Sequence, residues 1–177
     1  MGIINSFISD EKFLVVSKNQ PMKISVAGAR LSHLVQEDKI WDHGSMIEQV
    51  KMVFFKLKKA KANRNIQDLR KYVTVGCYET LQKEMDQLNQ VGKKWIIKNE
   101  MIKEVAVLEV STRRNNKPDC FTALIKSIGI QLIADINVTE QLINYSDRVR
   151  NFSEQWSFIR QGDWWVLDKI RSTHSLF

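Results

Sequence analysis

Apolar residues recur at helical spacing from Ser45 to about Ala62. Ile47, Val50, Val53, Phe54 and Leu57 form one stripe, and Lys51, Lys56, Lys58 and Lys59 read as the opposite, solvated face. The pattern predicts a helix over about 45–63, with Ser45 as N-cap and Glu48 placed as in a capping box. Met52 and Phe55 lie off the stripe, so a second surface is expected to cover them, and residues 1–40 are the nearest candidate. Asn65 to Tyr72 predicts a short helix at 66–72. Tyr78, Leu81, Met85 and Leu88, spaced three and four apart, predict another at 75–91, stopped by Gly92.

From Lys94 the period becomes alternating, as strands require. Val105 and Val107 alternate, then Leu108 and Val110 change phase, which predicts a bulge. Asn115 to Asp119 has turn chemistry. Cys120 to Asp135 reads as a long strand in which Gly129 permits a bend. Arg148–Gln161 and Trp164–Arg171 form a hairpin closed at Gln161-Gly162-Asp163. Trp156, Phe158 and Arg160 share one face of its first strand, and burial of Trp156 is expected. The predicted class is α+β: three N-terminal helices packed on a strongly bent, about four-stranded antiparallel sheet.

Residues 1–43 read as a partly helical N-terminal extension, and 44–177 as the domain proper. Asn19-Gln20-Pro21 interrupts the extension, and Ala27 to Trp41 is its expected helix. The 177-residue chain, 44 % hydrophobic and 27 % charged, has ordinary globular composition and no apolar run long enough for a membrane span. Cys77 and Cys120 have neither metal-ligand nor redox spacing, which suits free thiols. His33, His43 and His174 stand apart from other candidate ligands. Gly-rich phosphate loops and nucleophile motifs are missing, so neither catalysis nor a cofactor is expected.

Two sets of residues carry candidate binding chemistry. Phe54, Leu57, Tyr78, Leu81, Trp156, Phe158 and Trp165 would line an apolar pocket between helices and sheet, if they do not simply fill the core. Lys51, Lys56, Lys58, Lys59, Lys61 and Arg64 form a basic run on a chain of net charge +7. It suits an anionic membrane or protein surface. Nucleic acid is not expected, since no recognised motif interleaves aromatics with these bases. Asp135, Glu154 and Asp168 are the acids that a catalytic pocket would use; Glu154 and Arg160 read more simply as ion-pair residues.

A helix ending in Lys59-Ala60 is followed by Asn65-Ile66-Gln67-Asp68-Leu69-Arg70-Lys71-Tyr72-Val73-Thr74, then strands, then Glu154-Gln155-Trp156-Ser157-Phe158-Ile159-Arg160 and Trp165-Val166-Leu167-Asp168-Lys169-Ile170. Over roughly residues 44–173 this resembles the C-terminal domain of subunit 44 of the mitochondrial inner-membrane import translocase and its bacterial relatives. Ser157 stands where that family's Glu-x-Trp-Thr-Phe-x-Arg strand has threonine. The resemblance implies a cone like nuclear transport factor 2, and a non-catalytic adaptor that binds anionic membrane lipid and partner proteins. It implies the cytoplasmic side of the inner membrane in bacteria, or the matrix side in mitochondria. A homodimer stays open. The alternative is a pocket of the same fold that binds or transforms a small apolar ligand, as isomerases and dehydratases do.

Overall fold

A computed structural model describes residues 19–113 and 116–173. Residues 1–18 of the expected extension, part of the 115–119 turn, and His174 lie outside the described residues. Three helices, α1 (Gln20–Glu37), α2 (His43–Asn63) and α3 (Val75–Gln90), precede four strands, β1 (Lys93–Ser111), β2 (Cys120–Asp135), β3 (Arg150–Gln161) and β4 (Trp164–Thr173). The strands form an antiparallel sheet in sequence order that does not close on itself.

α1 begins seven residues before the expected Ala27, because Pro21 sits in its first turn, where a missing N–H costs nothing. It ends at Glu37, and Lys39–Trp41 forms a separate 3₁₀ turn. The N-cap of α2 is Asp42 rather than Ser45: its carboxylate accepts from Ser45 N at 2.8 Å, and Glu48 pairs with Lys51 instead of closing a capping box. The expected helix at 66–72 is only a 3₁₀ turn, Gln67–Leu69. Ile66, Leu69 and Val73 are the residues of this stretch that reach the core, and so short a segment gains little from a full helix.

Three bulges interrupt the β1–β2 register, one of them between Val107 and Glu109 where the pattern changed phase. They bend a 19-residue strand around the helices. Gly129 faces the first bulge, at Asn99–Glu100. A Cβ there would lie 2.9 Å from Glu100 Cα, so glycine serves close backbone approach. Gly162 takes φ +61 in the β3–β4 turn.

α2 supplies Val50, Val53, Phe54 and Leu57 to the core, against Trp156, Phe158 and Leu167 of the hairpin. Phe121 stacks on Phe158 at 4.9 Å, and Trp165 meets Trp41 edge-on at 4.8 Å. α1 lies on β1, where Arg30 donates to the Val110 carbonyl at 2.8 Å and Lys23 pairs with Glu109. Arg160 joins Asp38, at the end of α1, to Asp119, at the start of β2. Described residues of the extension therefore pack on the sheet rather than over Phe55, which remains 47 % exposed; Met52 is half-buried against the core.

Candidate functional site

The concave face of the sheet is filled at one end and open at the other. Phe54, Leu57, Trp156, Phe158 and Trp165 occupy the filled end, each 2 % exposed or less. They are core residues, because the α2 stripe seals directly onto the inner faces of β3 and β4, and Trp165 also lines a separate cleft beside Ile40 and Met52. Tyr78 is half-buried, with the Arg70 guanidinium 4.6 Å above its ring. Of the seven expected pocket residues, only Leu81 lines the cavity of about 390 Å³ at the open end.

That cavity combines apolar walls, among them Leu81, Phe152 and Ile170, with charged side chains. Lys58 and Lys61 enter it from α2, Glu84 from α3, Trp95 from β1, Gln131 from β2, Glu154 from β3 and Asp168 from β4. Lys58 is 6 % exposed and lies 3.1 and 3.2 Å from the two Glu154 oxygens, with Gln131 Oε1 at 3.2 Å. Lys61 spans Glu84 at 2.9 and 3.0 Å, and Trp95 Nε1 donates to the same carboxylate at 2.9 Å. Thr74 donates to Asp168 Oδ1 at 3.0 Å. Glu84, Glu154 and Asp168, the carboxylates that line the cavity, thus each have at least one hydrogen-bond or ion-pair partner. The Cys77 thiol is pushed up to about 11, chiefly by burial and then by the Asp168 charge, so it is protonated and unreactive near neutral pH.

Beside the cavity, Ser127 and Gln131 donate to Glu100 Oε1 at 2.9 and 2.6 Å. Glu100 Oε2 is buried and has no partner among the described residues. Burial raises the Glu100 pKa, and the charge of Lys58 only partly opposes it. Among the described residues no three His, Cys, Asp or Glu side chains converge as metal ligands.

The basic run does not form one solvated face. Lys58 and Lys61 turn inward, and Lys51 pairs with Glu48 at 2.8 Å. Arg64 caps α2 in the left-handed region, φ 55, and donates to Asn89. Lys56 and Lys59 are exposed, and neither pairs with a carboxylate among the described residues. Lys58 lies four residues after Phe54 and eight after Val50, which continues the apolar stripe. Its charge was legible in sequence, but its partner, 96 residues away, was not.

Three helices in an open, bent antiparallel sheet, with a cavity carrying paired charges at the mouth, define an α+β domain. Residues 27–172 match the Tim44-like domain family, and the chain belongs to that family. The family is associated with protein transport and membrane-associated roles. Among the described residues no helix is long and apolar enough to cross a membrane. No curated protein matches the chain. A solved structure similar to it is the crystal structure of the intermembrane space region of chloroplast protein ARC6, at 11 % identity and TM-score 0.45, covering 73 % of this chain and 97 % of that one.

Proposed function

We propose that the chain is a non-catalytic, membrane-peripheral adaptor domain that holds to acidic lipid by charge and presents a surface to partner proteins. The observation that carries this reading is a group of cations without carboxylate partners among the described residues. Lys56 and Lys59 near the end of α2 stand with Arg70 and Lys71 of the following turn. Val75 follows in sequence and is 76 % exposed, an apolar side chain available to a headgroup layer. Each nearby Lys or Arg gains about 1 kcal/mol at an acidic surface, so four suffice for peripheral attachment. The paired carboxylates of the cavity support the non-catalytic reading. The site would face the inner membrane, from the cytoplasm in a bacterium or from the matrix in a mitochondrion.

Co-sedimentation with vesicles tests this reading. Binding to acidic vesicles, little to neutral ones, and release by salt are expected. Lys56→Glu with Lys59→Glu should weaken binding by at least about tenfold without altering the melting temperature. Lys58 is left intact, since its removal would unpair Glu154. Equal binding to neutral and acidic vesicles would contradict the electrostatic reading.

A second reading rests on the open cavity of about 390 Å³, which has room for a small ligand. Thermal stabilisation by a compound that quenches Trp95 fluorescence would favour it, and turnover of that compound would make the domain an enzyme.

A further inference from the structure

The turn between α2 and α3 holds a second cleft, of about 420 Å³, outside the cone. Lys56, Arg70 and Lys71 line it together with Gln67, Asp68 and Tyr72. None of the three cations makes an ion pair among the described residues, although the chain pairs many of its other surface lysines. Aromatic rings hold them instead. Lys56 Nζ and Lys71 Nζ lie 4.9 and 5.1 Å from the centre of the Tyr72 ring, and Arg70 stacks on Tyr78.

This distinction matters for charge. A carboxylate partner neutralises a cation and occupies its donors, whereas a ring face restrains the cation and leaves the charge uncancelled. Three cations against the single carboxylate of Asp68 leave the cleft with two uncompensated positive charges. The Tyr72 phenol feels them. Burial raises its pKa, but a hydrogen bond from Lys71 and the charges of Lys56 and Lys71 outweigh burial and leave it lowered. The arrangement also has shape. Lys56 comes from a helix, while Arg70 and Lys71 come from the turn, and all three line the same cleft. A dianion with several acceptor oxygens matches two excess charges, a forked Arg and two ammonium groups better than a single carboxylate does.

We propose that the Tyr72 cleft is a binding site for a phosphoryl group, held by Lys56, Arg70 and Lys71. The proposal deepens the anionic-surface reading above, since the group is carried either by a lipid headgroup or by a soluble phosphate ester.

Two arms test the site and separate these sources. In the first, inorganic phosphate and glycerol 3-phosphate are titrated into the full chain while backbone amide NMR shifts are followed. Saturable shifts at Gln67 to Tyr72 are expected, with affinity lowered at least about tenfold in Arg70→Ala/Lys71→Ala. Lys51→Ala, outside the cleft, should leave the affinity unchanged, and melting temperatures establish that all variants fold. The second arm measures co-sedimentation with phosphatidate vesicles; loss of binding in the cleft variant assigns the phosphoryl group to a lipid. Soluble phosphate bound in the cleft, with no vesicle binding, would uphold the site and contradict membrane attachment. Vesicles bound equally by wild type and cleft variant, with no saturable response to soluble phosphate, would overturn the site and leave membrane attachment standing.

Discussion

Lys58 and Glu154 meet where α2 crosses β3, each about one-tenth exposed, so neither charge can be removed without stranding the other. Lys58→Met or Glu154→Leu alone should destabilise the fold by about 3–5 kcal/mol, while the double variant should recover most of the loss. Urea unfolding of the four proteins measures this directly, and additive losses would show that the pair is not coupled. The inward direction of Glu154 was legible, because it shares strand parity with Trp156 and Phe158. The charge of Lys58 points to a solvated position, but its spacing from Val50, Phe54 and Leu57 places it on the buried stripe. Glu100 gives the site a pH signature. Its ordinary value is 4.5 and its folded value is higher, so the native state holds the proton more tightly than the unfolded chain. That contribution to stability is present in acid and is lost as pH rises from about 4.5 through the folded value. Lys58, Glu154, Ser127 and Gln131 are the charged and polar groups acting on it. Glu100→Gln should therefore gain stability relative to wild type as pH rises through this window; a constant difference across it would contradict the assignment.

Elements were legible where local pattern and tertiary packing agree. The 45–63 and 75–91 helices and the 153–171 hairpin meet that condition, and each lies within a few residues of its expected bounds. The 66–72 segment does not. It has apolar residues at plausible spacing, yet Val73 is drawn into a bridge with Leu167, and Thr74 N donates to the Leu167 carbonyl at 2.8 Å. That contact with the edge strand fixes the chain before a further helical turn can form. The bend of the sheet was legible through Gly129, but its cause was not, since the bulge it faces centres on Asn99, with φ 53. Gly129→Ala would put its Cβ 2.5 Å from Glu100 Oε2 and 3.2 Å from Asn99 O. Backbone must shift to relieve this, and a loss of about 1–3 kcal/mol is expected by thermal or urea unfolding. Unchanged stability would mean that the bulge relaxes freely.

At the scale of the whole molecule, the six residues of the basic run have separate tasks. Lys58 and Lys61 close the inside of the cone, Lys51 pairs along its own helix, and Arg64 ends α2. Lys56 and Lys59 stay exposed and without a carboxylate partner among the described residues, as do Arg70 and Lys71 of the following turn, which charge counting along one helix did not single out. Family membership was legible because the Glu154-to-Arg160 strand carries both core residues, Trp156 and Phe158, and ion-pair residues, Glu154 and Arg160. Of the cavity lining, Leu81, Glu154 and Asp168 were legible and the rest was not, because α2, α3 and all four strands supply it and no local period records their meeting. Hydrogen exchange of the full chain with and without vesicles tests most directly whether the basic turn meets the membrane. Acidic vesicles should slow exchange in residues 64–76 and neutral vesicles should not, with the cavity strands unchanged. Protection confined to the cavity strands, or equal protection by both kinds of vesicle, would contradict a charged contact at this turn.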